Sequence, residues 1–404
     1  MAVNLGSAEA GVMRVGAEHA NSGLFRNGDG LRVAWLGHKS QTIGDGLRTY
    51  SRIVTTALEE RGIEVVFIHH ERALEDGRSS FSLRGTPLFQ RRVVVSGTRS
   101  GSTLEGILRD HAVDVVHLSA PFSTLDFALP RICHRLGVPV VVTFHVPFTA
   151  ARSMWGSLAS AVTRLYARAL AECDRVIVSG AAQRRLLVRL GVPEHVLSVL
   201  PNGVDLDKYS PGPSDARAAL GAERLFTFVG RVDPEKRVDT LVRAFLEVSP
   251  PPSTHLVVVG DGFDLPRLRA RYRDPRVVFT GALLDERRRI DILRASDAFF
   301  LPSDVEAQSL ALLEAMACGI AVAATRVGNH AEMLEGIGTL LDPRHLLHEL
   351  RTAIASFVRS RDLCLAMGTR ARLRAIQRYG LGAHINGVLA LYAALAGCGP
   401  INPQ

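Results

Sequence analysis

The chain has 404 residues, 47% hydrophobic and 22% charged, with a net charge of +8 and a pI near 9.6. That length predicts two domains of a soluble α/β enzyme. No run approaches 18 apolar residues, which excludes a transmembrane helix, and the five cysteines (Cys133, Cys173, Cys318, Cys364, Cys398) lack metal or redox spacing and read as reduced core thiols in the cytosol.

Residues 1–30 are rich in Gly, Ala, Asn and Ser without a hydrophobic signal region, and read as a flexible leader. Leu31–Leu36 predicts a first strand running into a loop that ends at Gly46, followed by an amphipathic helix from Leu47 to Arg61 and a strand at Glu64–His69. Gly46 would let backbone approach a ligand phosphate. Gly-x-Gly-x-x-Gly is missing here, so no nicotinamide fingerprint is present. Strand signals recur at Arg92–Val95, Val113–Leu118, Val138–Phe144 and Arg175–Val178 with helical stretches between them, the pattern of a parallel sheet covered on both faces. His145 follows one such strand at its carboxyl end, where functional groups cluster; a histidine there is otherwise structural. His117 reads as a core histidine or one behind the site.

Between Phe127 and Pro193 nine arginines stand against only Glu172 and Asp174. A local basic surface facing something anionic follows, and the helix Met154–Ala171, with Trp155, Leu158 and Tyr166 among its arginines, suits an anionic membrane surface or a solvated face equally. The turn Pro201-Asn202-Gly203-Val204-Asp205 and the Pro-Gly-Pro-Ser that follows mark a domain boundary near 205–215. Asp205-x-Asp207 matches the metal-binding pattern of some sugar transferases, but it sits in a turn rather than after a buried strand, so no metal is expected.

The second half restarts the alternation. A strand at Leu225–Val229 ends in Gly230-Arg231-Val232-Asp233-Pro234-Glu235-Lys236, where Arg231 and Lys236 could neutralise a diphosphate or be ordinary surface cations. Further strands read at His255–Val259, Arg276–Thr280 and Ala298–Leu301, with a basic helix at Arg287–Ala295. Ser309 to Cys318 is helical, capped by Ser309 and stopped by Gly319, and a buried strand follows at Ile320–Ala324. Glu306 lies in the loop before that helix and Glu314 one turn inside it. The two acids and the helix start converge on one crevice suited to a phosphate and to ligand hydroxyls; otherwise one acid is salt-bridged to an arginine on a surface helix.

Gly-Arg-x-x-Pro-Glu-Lys, Gly-Asp-Gly, Glu306-x7-Glu314 running into Leu-Leu-Glu-Ala-Met-Ala-Cys-Gly, Pro-Asn-Gly-Val-Asp and Thr-Phe-His occur in order. Together they resemble the retaining, nucleotide-sugar-dependent glycosyltransferases of family 4, with the GT-B fold, over roughly residues 31–397. The resemblance implies an α/β architecture of two Rossmann-like doubly wound domains facing across a cleft. Residues 31–207 would form an acceptor domain and 214–379 a donor domain, with about 380–397 crossing back to the first. It implies that Arg231 and Lys236 hold the donor diphosphate, that Glu314 binds the ribose, and that Glu306 contacts the donor sugar. The backbone of Gln308, Ser309 and Leu310, and Gly46 from the other domain, would meet the phosphate; His145 would face the sugar. Transfer is thus expected to depend on His145, Arg231, Lys236 and Glu306, without metal or cofactor.

The chain departs from the family at Glu306-Ala307-Gln308-Ser309, where many members have Glu-Gly-Phe-Gly, and at Gly328-Asn329-His330-Ala331-Glu332. Its opening strand and donor helix look most like bacterial enzymes that glycosylate membrane diacylglycerol lipids, of the cyanobacterial digalactosyldiacylglycerol synthase type. The expectation is therefore transfer of glucose or galactose from a UDP-linked sugar to a membrane glycolipid, by a cytoplasmic protein peripheral on the inner face of an anionic plasma membrane, with no nucleic-acid partner. The alternatives are a soluble sugar, natural-product or polysaccharide acceptor, a nucleotide-sugar 2-epimerase, and a binding protein that keeps the fold.

Overall fold

Short runs rich in Val, Ile and Phe form the strands, because β-branched and aromatic side chains pack well on a pleated surface buried on both faces. In the computed structural model the described residues are 30–38, 46–70, 79–88, 93–146 and 154–397, with backbone alone at 88, 93 and 154–159. The leader, the loop 39–45, Arg152, Cys398 and the side chains of Trp155 and Leu158 lie outside them.

The first sheet has the order β3 (Ser80–Ser82), β2 (Glu64–His69), β1 (Arg32–Leu36), β6 (Val115–Ala120), β7 (Val140–Phe144), β8 (Arg175–Val178) and β9 (Leu197–Val199), with all pairs parallel. The second runs β12 (Val277–Gly281), β11 (Thr254–Val259), β10 (Arg224–Val229), β13 (Ala298–Leu301), β14 (Ala321–Thr325) and β15 (Thr339–Leu341), again all parallel. Each sheet is doubly wound, as expected. The strand order reverses between β1 and β6 in one and between β10 and β13 in the other, and ligands of open α/β sheets bind outside the carboxyl ends at such points.

One strand differs from the expectation. The signal at Arg92–Val95 is a strand, β5 (Val93–Ser96), but it pairs antiparallel with β4 (Gly85–Leu88) in a separate hairpin. The connection is too short for the crossover that a parallel pair needs. The three-residue strands β3, β9 and β15 were missed because so short a run carries no readable period.

The first helix, Gly46–Glu59, buries Tyr50, Val54 and Leu58 against β1 and β2. The last helix, Leu381–Leu395, packs Ile385, Val388 and Tyr392 into that same core with Val33 and Trp35, although it follows the whole second sheet in sequence. The helix Leu310–Ala317 starts at Ser309, whose Oγ accepts from the Leu312 N–H at 3.3 Å, and stops at Gly319 with φ +73°. The cysteines Cys133, Cys173, Cys318 and Cys364 are free and buried.

Candidate active site

The loops after β10 and β13 flank the switch point of the second sheet. The first carries Arg231 to Lys236, closing in a 3-10 turn at Pro234–Lys236 with Arg237 in the left-handed region at φ +55°. The second carries Ser303 to Gln308 and leads into the capped helix. Lys236 Nζ meets Glu306 Oε1 at 2.5 Å, and Ser303 Oγ donates to the same oxygen at 2.9 Å. Burial pushes the Glu306 carboxyl up, but Lys236, the nearby His330 and Ser303 together outweigh it and hold the carboxyl below its ordinary value. The site thus presents a buried carboxylate and an ammonium side by side, beneath a helix start whose first amides have no intrahelical partner.

Arg231 stands differently. Its side chain is a third exposed, and its guanidinium is gripped by Asp233 and, at 3.0 Å, by Glu235 of its own loop. It lies on the same loop as Lys236, but two acids already hold it.

Glu314 is buried and 3.8 Å from Arg289. Burial raises its carboxyl pKa and Arg289 offsets this in part. Arg289 in turn donates to Tyr209 Oη at 2.9 Å, and Tyr209 donates to Glu286 at 2.8 Å. The arginine partner weighed in the sequence does exist, on a buried face rather than a surface helix. Glu314, Leu310, Tyr209 and Glu286 line a cleft of about 200 Å³ whose opposite wall is Arg52 and Thr56 of the first helix and Glu60 just past its end.

From the first sheet, Gly46 opens the first helix in an exposed position, and among the described residues a Cβ there would meet nothing within 4 Å. No described residue therefore demands glycine at 46. His145 follows β7, half-buried, its N–H donating to the Ala120 carbonyl at 2.9 Å and its ring set edge-on to Tyr50 with centroids 4.4 Å apart. Burial, then His384 and His38, lower its imidazole to about 3, so it is neutral at physiological pH.

Gln308 turns toward the linker between the sheets: the Asn202 N–H donates to its Oε1 at 2.7 Å. Beneath the loop, Gly328 packs so closely that a Cβ there would lie 2.2 Å from the Glu306 carbonyl oxygen. The neighbouring Asn329 N–H donates to Ala307 O at 3.0 Å, and its Nδ2 donates to Ser179 Oγ of the first half at 2.6 Å. Asp205 Oδ1 is occupied by the N–H groups of Asp207 and Lys208 at 3.1 and 3.0 Å, the geometry of a turn. Among the described residues no three His, Cys, Asp or Glu side chains cluster in a metal-binding arrangement.

Sequence reasoning missed Arg289, Tyr209, Glu286 and His330. Only Glu286–Arg289, an i,i+3 pair on one helix, carried a local signal. The others become site residues through long-range packing.

A family model described as Glycosyltransferase Family 4 matches residues 44–208, and one described as Glycosyl transferases group 1 matches residues 223–360. The chain is 34% identical over 249 residues to a D-inositol 3-phosphate glycosyltransferase of Rhodococcus opacus, covering 55% of either chain, so this match spans only about half the relative's length. It is 28% identical over 399 residues to the protein of the same name from Segniliparus rotundus, covering 89% of this chain and 86% of that one. The fold is shared with Anabaena Alr3699/HepE, solved in complex with UDP and glucose, at a TM-score of 0.73 and 16% identity over 90% of this chain and 99% of that one. These two relatives bear a name other than that of a diacylglycerol transferase. With both halves matched in order and two doubly wound parallel sheets, the chain belongs to the GT-B glycosyltransferases of family 4, group 1.

Proposed function

We propose that the protein transfers a hexose from a nucleotide sugar, with retention, to a soluble sugar or polyol acceptor. The observation that carries this is the Lys236–Glu306 pair beneath the start of the helix Leu310–Ala317, at the switch point of the second sheet. In this reading Lys236, Arg231 and the amides at Gln308, Ser309 and Leu310 take the leaving diphosphate as charge develops on it. Glu306 accepts from the sugar hydroxyls. Glu314, oriented by Arg289, binds the ribose in the cleft facing the first helix. Gly46 and the neutral His145 close on the donor from the other sheet and exclude water. No metal or cofactor enters the scheme.

The acceptor follows the relatives, whose names specify an inositol phosphate. The membrane-glycolipid reading is the second choice. Of the arginines that motivate it, Arg131, Arg135 and Arg184 are ion-paired to Glu172, Glu105 and Glu194, while Arg164, Arg168, Arg185 and Arg189 are exposed. The deciding experiment offers a panel of nucleotide sugars with soluble sugars, polyol phosphates or membrane lipid extract, and identifies products by mass spectrometry. A glycosylated soluble acceptor is expected. Product in the lipid fraction alone would replace the soluble reading, and epimerised donor without acceptor would replace transfer altogether.

A further inference from the structure

A row of buried polar groups crosses the molecule from the last helix to the loop that carries Glu306. Tyr392 Oη and His117 Nδ1 are 2.5 Å apart, His117 Nε2 and Thr143 Oγ1 2.8 Å, and Thr143 Oγ1 and Tyr50 Oη 3.2 Å. Tyr50 Oη and His384 Nε2 are 3.1 Å apart, and His384 Nδ1 lies 2.7 Å from the Pro201 carbonyl oxygen. The same peptide unit presents the Asn202 N–H to Gln308 Oε1 at 2.7 Å. The side chains are between 0% and 7% exposed.

The proton positions follow from counting donors and acceptors. The Pro201 carbonyl only accepts, so His384 carries its proton on Nδ1 and accepts at Nε2. Tyr50 must donate to that nitrogen, and so accepts from the Thr143 hydroxyl. Thr143 has one proton to give, so His117 donates to it from Nε2 and accepts at Nδ1, where Tyr392 donates. Each group between the two ends gives and receives once, and every bond runs the same way, from Tyr392 to Gln308. This assignment requires both imidazoles to be neutral. Burial supplies that by holding His117 well below its ordinary value and His384 down to about 4. The stacked Trp35 ring, 4.2 Å from that of His117, fixes one imidazole in plane.

We propose that this unidirectional chain positions the donor loop against the first sheet, and that Gln308, His384 and Tyr50 are positioning residues for transfer. The inference rests on the transfer reading above. The Gln308 link joins the second sheet's loop to a linker peptide whose other face is held by the last helix. The Tyr50 ring at the middle of the chain also sets the edge of His145. Aligned bonds polarise one another, so loss of one weakens those beyond it. Gln308 lies between Glu306 and the Ser309 cap, and its Nε2 is buried without a partner among the described residues, so the linker bond alone sets the orientation of its amide.

Two measurements test this. In the wild type, nitrogen-15 NMR of histidine-labelled protein should show His117 protonated on Nε2 and His384 on Nδ1; the opposite tautomer at either residue overturns the chain. In a double-mutant cycle, Tyr50→Phe and Gln308→Leu should each lower kcat/KM for transfer about tenfold, and the double variant also about tenfold. A multiplicative, hundredfold loss overturns the coupling. If a variant does not fold, the wild-type tautomers still decide. Calorimetry of the wild type with the nucleotide sugar separates the two readings: no binding removes the transfer function while the tautomers still test the chain.

Discussion

Lys236 Nζ lies 2.5 Å from Glu306 Oε1, joining the loop after β10 to the loop after β13 across the reversal of strand order in the second sheet. Both side chains are nearly buried, at 14% and 12% exposure. Removing one partner of such a pair leaves the other as an uncompensated charge, whereas replacing both costs less. Lys236→Ala should therefore lose about 3 kcal/mol of stability and about 10²–10³-fold in kcat. Adding Glu306→Gln should restore much of the stability and none of the activity. Denaturant unfolding and steady-state rates on the three variants check this; recovery of activity in the double variant would refute the roles given to the pair.

Gly46 offers the converse test. A Cβ at this exposed helix start meets none of the described residues within 4 Å. Gly46→Ala should leave stability unchanged or raise it by up to about 1 kcal/mol, since alanine favours a helix. If the backbone at 46 approaches a phosphate, kcat/KM should still fall about tenfold or more. An unchanged rate would remove Gly46 from the donor site.

Gly328 has the opposite constraint. Its φ of +53° is strained for other residues, and a Cβ would sit 2.2 Å from the Glu306 carbonyl oxygen. Gly328→Ala should cost about 1–3 kcal/mol and displace the Glu306 loop, so that activity falls further than the melting temperature suggests. Activity assayed well below the melting transition measures this, and a fully active variant would refute the packing argument.

The buried histidines predict a pH dependence. Burial lowers His384 and His70 from 6.5 to about 4, so between these values the unfolded chain binds more protons than the folded one. Their contribution to stability is complete above about 6.5 and is lost as pH falls toward about 4. Asp126, pushed up to about 6 by burial, acts in the opposite sense over part of that window. His384→Gln isolates one histidine. Unfolding free energies from pH 4 to 6.5 should rise more steeply in the wild type than in the variant, and parallel curves would count against the neutral-imidazole assignment.

The doubly wound architecture, and the motif residues of the candidate site, were legible along the chain. Strand and helix periods, the Ser309 cap and the Gly319 stop are local, set by burial and backbone preference within a few residues. The family motifs lie within such local units too, which is why Lys236, Glu306 and Glu314 were legible before any packing was known. What each charge faces is set by packing between distant segments. The same local rules describe Arg231 and Lys236, yet packing hands one to Asp233 and Glu235 and the other to Glu306. Gln308, read as a feature of the donor side, reaches Asn202 across 106 positions, and His117 meets Tyr392 across 275. A buried polar group must find a partner wherever the fold brings one, and no pattern along the chain records which distant segment will supply it.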